Sequence, residues 1–332
     1  MMMTLLAAAL ALAGPGEERV FGNWAVVCDN VKRCQATMLM PENWGPDDAP
    51  RFDITREAGP AGALTLTISP LSDAGGVTDV LIDRRLIGSG VLRDGTIALS
   101  GATAEGLARA MANGRTMTLR QRRGVLATLS LTGASAALRY IDAEQGRAGT
   151  ITALVARGPK AAAAVPPAAP VPRVPAVRPG KGKPTTLPTA QIDALRRQAQ
   201  CEEEFPSPEM AEPHFYRLDA QATLLLLPCG TGAYQSWSAV YVVIGGRAVP
   251  AVFDIWDEKD PVPELTEPGW DDARGTLASH SRGRGLADCG YDDSWVWDGA
   301  RFRLTSVTAL TACRFSGNWM MRYRAEPVWR NR

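Results

Sequence analysis

Histidine is nearly absent from this chain: of 332 residues, only His214 and His280 are histidines. They lie in separate segments, which argues against a classical zinc site and leaves little choice of base for a Ser-His-Asp arrangement. No G-x-S-x-G elbow occurs, and no Walker or dinucleotide glycine loop. Past the first residues no apolar run is long enough to cross a membrane, Leu224 to Leu227 being strand-sized, so no integral membrane segment is expected. A dominant charge is also missing. The formal net charge is +1, and residues 191–332 carry 15 basic and 20 acidic residues, so neither globular part reads as a basic nucleic-acid binder. Finally, no cysteine falls between Cys34 and Cys201.

The six cysteines that are present fall in two groups. Cys28 and Cys34 lie behind a short apolar leader, and Cys201, Cys229, Cys289 and Cys313 lie beyond a Pro/Ala-rich stretch. An even set divided in this way reads as structural disulfides in an exported protein. Thr4 to Ala13 is a short apolar run ending in Ala11-Leu12-Ala13, a small-x-small cleavage signal, although Met1 to Met3 bring no Lys or Arg. The expectation is a signal peptide over 1–13 and a periplasmic or secreted location.

Residues 158–188 mark a boundary. Their prolines oppose helix and sheet interior alike and favour an extended, semi-rigid spacer. The five charges of 159–190 are all basic: Lys160, Arg173, Arg178, Lys181 and Lys183. On either side lie a unit over 17–157 and a unit over 189–332. In the first, alternating runs at Arg51–Glu57, Leu64–Ser69, Val77–Asp83 and Arg115–Leu131 are punctuated by turn signals such as Asp94-Gly95. Two helices are predicted, one capped by Thr103 and one over 133–146. The second unit opens with a predicted helix from Thr189 to Glu203 and continues in strand-like runs, with hairpins at Gly245-Gly246 and Asp298-Gly299. The predicted class is mainly β (α+β): two antiparallel β-rich domains, sandwich or barrel-like, each with one or two short helices.

Cys28 and Cys34 flank a loop of hairpin length, which brings facing strands within bridging distance. A bridge from Cys201 to Cys229 would staple the opening helix to the sheet. Cys289 and Cys313 flank the Asp298-Gly299 hairpin, but strict register leaves Cys313 about four residues too far along, so a bulge or loop must absorb the difference.

Little else points to chemistry. His280 sits between Ser279 and Ser281 with Asp271 and Asp272 upstream, yet neighbours on a strand point to opposite faces, and an exposed strand histidine is the simpler reading. Asp288, Asp292, Asp293 and Asp298 cluster near the last hairpin without the spacing of a calcium loop. Arg282-Gly283-Arg284-Gly285, then Asp288, is the most site-like patch, because two arginines on a glycine-rich loop grip carboxylates or phosphates. Trp295 and Trp297 share one face of their strand and suit stacking on a sugar or peptide. The commoner role of such tryptophans is core packing, and of such arginines a salt bridge to Asp288 or Asp292.

Phe21-Gly22-Asn23-Trp24-x3-Cys28-Asp29-Asn30-x3-Cys34 resembles the bacterial exported family catalogued as domain of unknown function 1176. So do Leu129-Ser130-Leu131-Thr132-Gly133-x2-Ala136-Ala137-Leu138-x2-Ile141-Asp142-x2-Gln145-Gly146, the Arg282–Gly290 block with Trp295-x-Trp297-x-Gly299-x2-Phe302, and Cys313-Arg314. Residues 17–157 are also similar to the invasion-associated locus B family. The resemblance implies an exported protein and assigns no activity. The reading is an uncharacterised, disulfide-bonded envelope protein, more a binding module for an envelope protein or glycan than an enzyme. No catalytic residue, metal or cofactor is expected. The alternative is a periplasmic hydrolase of peptidoglycan or glycan using acids among Asp271, Asp272, Asp288, Asp292 and Asp293.

Overall fold

Strand Trp24–Cys28 is buried at every position, although strands of a one-sided sheet alternate. Its two faces meet different partners. Trp24, Val26 and Cys28 enter the main core of the first half, while Ala25 and Val27 pack against Leu310 and Met320 of the second half. These contacts come from a computed structural model, which describes residues 14–40, 50–69, 76–122, 124–202, 204–254, 262–316 and 318–330. The expected leader lies outside the described residues.

In the first half the strands are β1 (Arg19–Phe21), β2 (Trp24–Cys28), β3 (Cys34–Met38), β4 (Arg51–Arg56), β5 (Leu64–Ser69), β6 (Gly76–Ile82), β7 (Arg85–Leu92), β8 (Ile97–Ser100), β9 (Thr116–Gln121) and β10 (Gly124–Ser130). Helix α1 (Gly101–Asn113) follows β8, and α2 (Ala134–Glu144) follows β10. One sheet runs β1-β2-β3-β4-β5-β8 and a second β10-β9-β6-β7, with every pairing antiparallel. Both helices are amphipathic at i, i+3, i+4 spacing. Ala104, Leu107, Ala108 and Met111 of α1 and Ala137, Leu138 and Ile141 of α2 are buried in the same core. Each large side chain buried there contributes about 1.5–3 kcal/mol. Helix α1 begins two residues before Thr103, because Gly101 at φ +57° lets the chain turn directly out of β8.

The second half holds β11 (Arg173–Val177), α3 (Thr189–Gln198), β12 (His214–Arg217), β13 (Ala222–Thr231), β14 (Ser236–Ile244), β15 (Arg247–Pro250), β16 (Glu264–Thr266), β17 (Gly269–Asp271), β18 (Thr276–Arg282), β19 (Gly290–Trp297), β20 (Phe302–Leu310), β21 (Met320–Arg324) and β22 (Glu326–Arg330). One sheet runs β12-β13-β14-β15, with β16 also on β14, and another β17-β18-β19-β20-β21. The described part of the chain is thus mainly β and almost wholly antiparallel, with no closed barrel among the described residues.

The run Leu224–Leu227 is apolar without a break because β13 is covered on both faces. Leu224 and Leu226 face the layer between the two sheets, and Leu225 and Leu227 face the cluster under Ile192 of α3. Helix α3 is shorter than the sequence predicts. It stops at Gln198, with Gln200 left-handed at φ +57° and Cys201 bonded to Cys229.

Residues 158–188 are partly built into the fold. β11 pairs in parallel with β22, Pro175 lying opposite Val328. The pair is two strands wide, so Pro175 interrupts no central ladder. Val165, Val174, Ala176 and Val177 are buried.

The disulfides join Cys28 to Cys34, Cys201 to Cys229 and Cys289 to Cys313. Cys28 and Cys34 are direct cross-strand partners. The mismatch at Cys289 and Cys313 is absorbed in three steps: the turn spans four residues, Asp298–Arg301, where two were expected; a register shift between Ser294 and Trp295 takes up one more; and the chain leaves β20 after Leu310 to bring Cys313 to Cys289.

Candidate functional site

The loop between β18 and β19 carries Arg282, Arg284 and Asp288, and it is tied down on several sides. Gly283 N–H donates to Cys289 O at 2.8 Å, and Ala287 N–H to Arg284 O at 2.9 Å. Arg284 forms a two-point ion pair with Asp288, Nε to Oδ1 at 2.7 Å and Nη2 to Oδ2 at 2.6 Å. Asp288 Oδ2 also accepts from Phe315 N–H at 2.6 Å, and the Arg284 guanidinium lies 4.6 Å from the centre of the Phe315 ring. Burial alone would raise the Asp288 carboxyl, but Arg284 and the Phe315 N–H outweigh it and hold the group below the usual carboxylate range. A Cβ at position 283 would sit 2.8 Å from Cys289 Sγ, so any residue but glycine forces the loop or the bridge to shift.

Of the two arginines expected to grip a ligand, Arg284 is therefore occupied by Asp288. Arg282 is half-buried and anchors the loop through its backbone N–H, which donates to Gln235 Oε1 at 3.0 Å. No hydrogen bond or ion pair of its guanidinium forms among the described residues.

Trp295 and Trp297 are not on this surface. They are 3% and 2% exposed and belong to the core between the two sheets. Trp297 Nε1 donates to Asp219 Oδ2 at 2.8 Å, and Trp295 packs edge-on against Phe253 at 5.2 Å. Their i, i+2 spacing does place both on one face, but that face is the inner one.

The side chains exposed at the loop are others: Leu286 at 59%, Tyr234 at 41% and Tyr291 at 41%. Tyr234 lies against Gly285, and the Arg322 guanidinium lies 5.9 Å from the Tyr291 ring centre. An apolar Leu286 in the middle of an Arg/Gly loop was the one visible sign of this patch. Tyr234 reaches it only through tertiary packing.

The carboxylates do not converge. Asp271 accepts from Arg274 N–H and Nη1 in a turn, and Asp272 accepts from Trp270 Nε1 at 2.7 Å. Asp298 accepts from Ala300 and Arg301 N–H, both at 2.8 Å, and from Arg303 Nε at 2.6 Å. Asp292 pairs with His280 Nδ1 at 2.7 Å, and the His280 ring stacks on Trp319 at 5.0 Å. Ser279, beside His280 in sequence, points away from it and donates to Thr266 O at 2.8 Å. The Asp293 carboxyl is pushed up, to about 6, by burial and then by Asp292, with Arg322 opposing. Among the described residues no three His, Cys, Asp or Glu side chains are grouped to hold a metal ion.

Several residues of the sequence blocks singled out above have structural work instead. Asp142 accepts from the N–H groups of Leu154 and Val155, both at 2.8 Å. Gln145 Nε2 donates to Lys32 O at 2.8 Å and Arg56 O at 3.0 Å. Arg314 spans the two halves, donating to Asn23 Oδ1 at 2.8 Å, Gly22 O at 2.9 Å and Met40 O at 3.0 Å.

Comparison with known proteins agrees with this picture of an architecture without an assigned chemistry. The family described as "Protein of unknown function (DUF1176)" matches residues 18–326. The Uncharacterized protein YpfG of Escherichia coli (strain K12) is 29% identical over 345 residues, covering 95% of this chain and 93% of that protein. A crystal structure of invasion associated protein b from Bartonella henselae aligns with 39% of this chain and 99% of its own, at 13% identity and a TM-score of 0.32. The match over 18–326 places the chain in the DUF1176 family of proteins of unknown function.

Proposed function

We propose that this protein is an exported, non-enzymatic binding module of the cell envelope. In this reading the units over 17–157 and 189–332 act as one body, and the loop 282–290 is the contact surface. The observation that carries it is the pairing of a locked backbone with exposed apolar side chains. The Arg284–Asp288 ion pair and the Cys289–Cys313 bridge fix the loop, and Leu286, Tyr234 and Tyr291 project from its neighbourhood. A surface ordered in advance loses little conformational entropy on binding.

The three disulfides, with no described helix long and apolar enough to cross a membrane, fit a periplasmic or extracellular location. Against the hydrolase reading, Asp271, Asp288 and Asp298 are each engaged with backbone N–H groups or an arginine and held below the usual carboxylate range; Asp293 is raised, but Asp292 beside it is paired with His280, whereas a glycosidase needs its raised acid across a cleft from a second carboxylate.

The test is co-sedimentation of the purified protein with isolated sacculi and with envelope vesicles, beside a muropeptide-release assay. The expected result is saturable binding to one fraction that Leu286→Asp weakens, with no muropeptide release. Muropeptide release lost in Asp293→Asn would establish the hydrolase instead. Six reactive thiols in the protein taken from cells would overturn the location.

A further inference from the structure

The second half is a two-layer stack with two short edge strands along one side, the Arg217 end of which is bordered by Pro179–Pro184 of the Pro/Ala stretch. β12 ends one sheet and β17 ends the other. β12 pairs only with β13, in continuous register, and β17 only with β18. Among the described residues, His214–Arg217 make no main-chain hydrogen bond beyond the β13 ladder. The outward N–H and C=O groups of β12 therefore have no main-chain partner among the described residues. β12, reading His-Phe-Tyr-Arg, is short and carries a charge only at its Arg217 end, and it has neither the proline nor the bulge that would bar a further strand at its His214 end.

Two clefts flank this edge and meet at Tyr216. One, of about 270 Å³, is lined by Glu209, His214, Tyr216, Ser238 and Glu267 among others. The second, of about 320 Å³, is lined by Pro179, Phe215, Tyr216, Arg217 and Asp272 among others. Glu267 comes just before β17 and Asp272 just after it. β12 and β17 thus run alongside each other in the same sense, the His214 end beside Glu267 and the Arg217 end beside Asp272. Tyr216 and Trp270, both partly buried against the same core, lie along the seam between them.

Three carboxylates border the seam, and two are fixed in place. Glu267 Oε1 accepts from Ser236 N–H at 2.6 Å and Oγ at 3.2 Å, and Asp272 is held by Trp270 Nε1. Glu209 stands in the cleft that Glu267 shares. The Arg217 guanidinium is turned back onto Ala220 O. His214 and Tyr216 stack at 6.5 Å and form an aromatic wall.

We propose that this seam binds an extended peptide segment bearing lysine or arginine, which adds as a strand to the free edge of β12. Main-chain hydrogen bonds to β12 supply affinity, and the clefts to either side of Tyr216 take side chains of the added strand. The carboxylates Glu209 and Glu267 select a cation at the His214 end. The occupant's sign follows from the cleft at the His214 end, whose lining includes the carboxylates Glu209 and Glu267 and no lysine or arginine.

The test uses the full disulfide-bonded protein and an acetylated, amidated hexapeptide alternating Lys and Val. Binding is followed by titration calorimetry at low salt and by amide hydrogen exchange. The expected result is saturable binding that slows exchange within Phe215–Arg217. Glu267→Gln and Glu209→Gln, at a polar rim, are each expected to weaken binding about two- to fivefold. A Glu-Val peptide is expected to bind more weakly still, and a Lys-Val peptide N-methylated at alternate nitrogens not at all. Arg282→Ala, on the other loop, is expected to leave this binding unchanged, so failure here is separable from failure of the loop 282–290 as a contact surface. The proposal is overturned if the N-methylated peptide binds as well as its parent. It is equally overturned if the Lys-Val peptide shows no saturable binding, or if a chito-oligosaccharide gives the protection at β12 that the peptide does not.

Discussion

Arg324 Nε donates to Asp29 Oδ2 at 2.7 Å, joining positions 295 residues apart. The Asp29 side chain is wholly buried, and Asn30 beside it exchanges two hydrogen bonds of 2.9 Å with the backbone of Arg324. The first and second halves are therefore bonded through a charge that has no access to water. Arg324→Ala leaves that carboxylate with only the Val31 and Arg33 N–H groups. The expected cost is about 2–3 kcal/mol, below that of breaking a fully buried pair because Arg324 keeps some contact with solvent. Urea unfolding checks it, and wild type is expected to unfold in one transition where the variant shows two.

Asp293 sets a pH dependence of definite sign. Its carboxyl is pushed from 3.8 up to about 6 in the folded protein, first by burial and then by Asp292. Between those values the folded state binds more protons than the unfolded state, so this group lowers stability as pH rises through the window. Asp293→Asn is expected to stabilise the protein by about 1–2 kcal/mol at pH 7, with no gain near pH 4. Thermal melts of both proteins at the two pH values test this, and an equal gain at both would refute it.

The loop 282–290 depends on a missing methyl group. Gly283→Ala places a carbon 2.8 Å from Cys289 Sγ, so the backbone or the Cys289–Cys313 bridge must shift. The expected result is a loss of about 1–3 kcal/mol and faster cleavage of the loop by trypsin at Arg282 or Arg284. Gly285→Ala, whose added carbon would meet Tyr234 at an ordinary 3.6 Å, serves as the control and is expected to be near neutral.

Trp297→Phe keeps an aromatic ring in the core but removes the donor to Asp219 Oδ2. Asp219 retains the N–H groups of Gln221 and Ala222, both at 2.8 Å. The expected cost is about 1–3 kcal/mol, read by chemical denaturation, with no effect on any surface binding.

Trp297 also shows where the sequence is legible and where it is not. Alternation along Trp295–Trp297 says that both rings share a face. It does not say which face is inside, because the cover comes from Phe253 and Leu224, far away in the chain. The Cys28–Cys34 pair is readable because it closes one hairpin. The Cys289–Cys313 pair needs a bulge and a turn that no local residue announces. The mainly β class follows from turn signals and alternation, which are local properties. The burial of the Pro/Ala stretch depends on Trp329 and its neighbours far along the chain, and so leaves no local trace. At the loop, the arginines and Asp288 are conspicuous in sequence, while Tyr234 arrives from another hairpin.

The parallel pairing of Arg173–Val177 with Glu326–Arg330 has a consequence for how the chain folds. A parallel partner so distant in sequence cannot dock until the residues between have been made and brought home, and closing such a loop is slow. As the chain is synthesised, the Pro/Ala stretch is made before Glu326–Arg330 and has no partner to pair with. Its prolines keep it extended and unpaired in that interval, a poor template for the wrong strand. In the finished protein the same stretch is a clasp, fastened last.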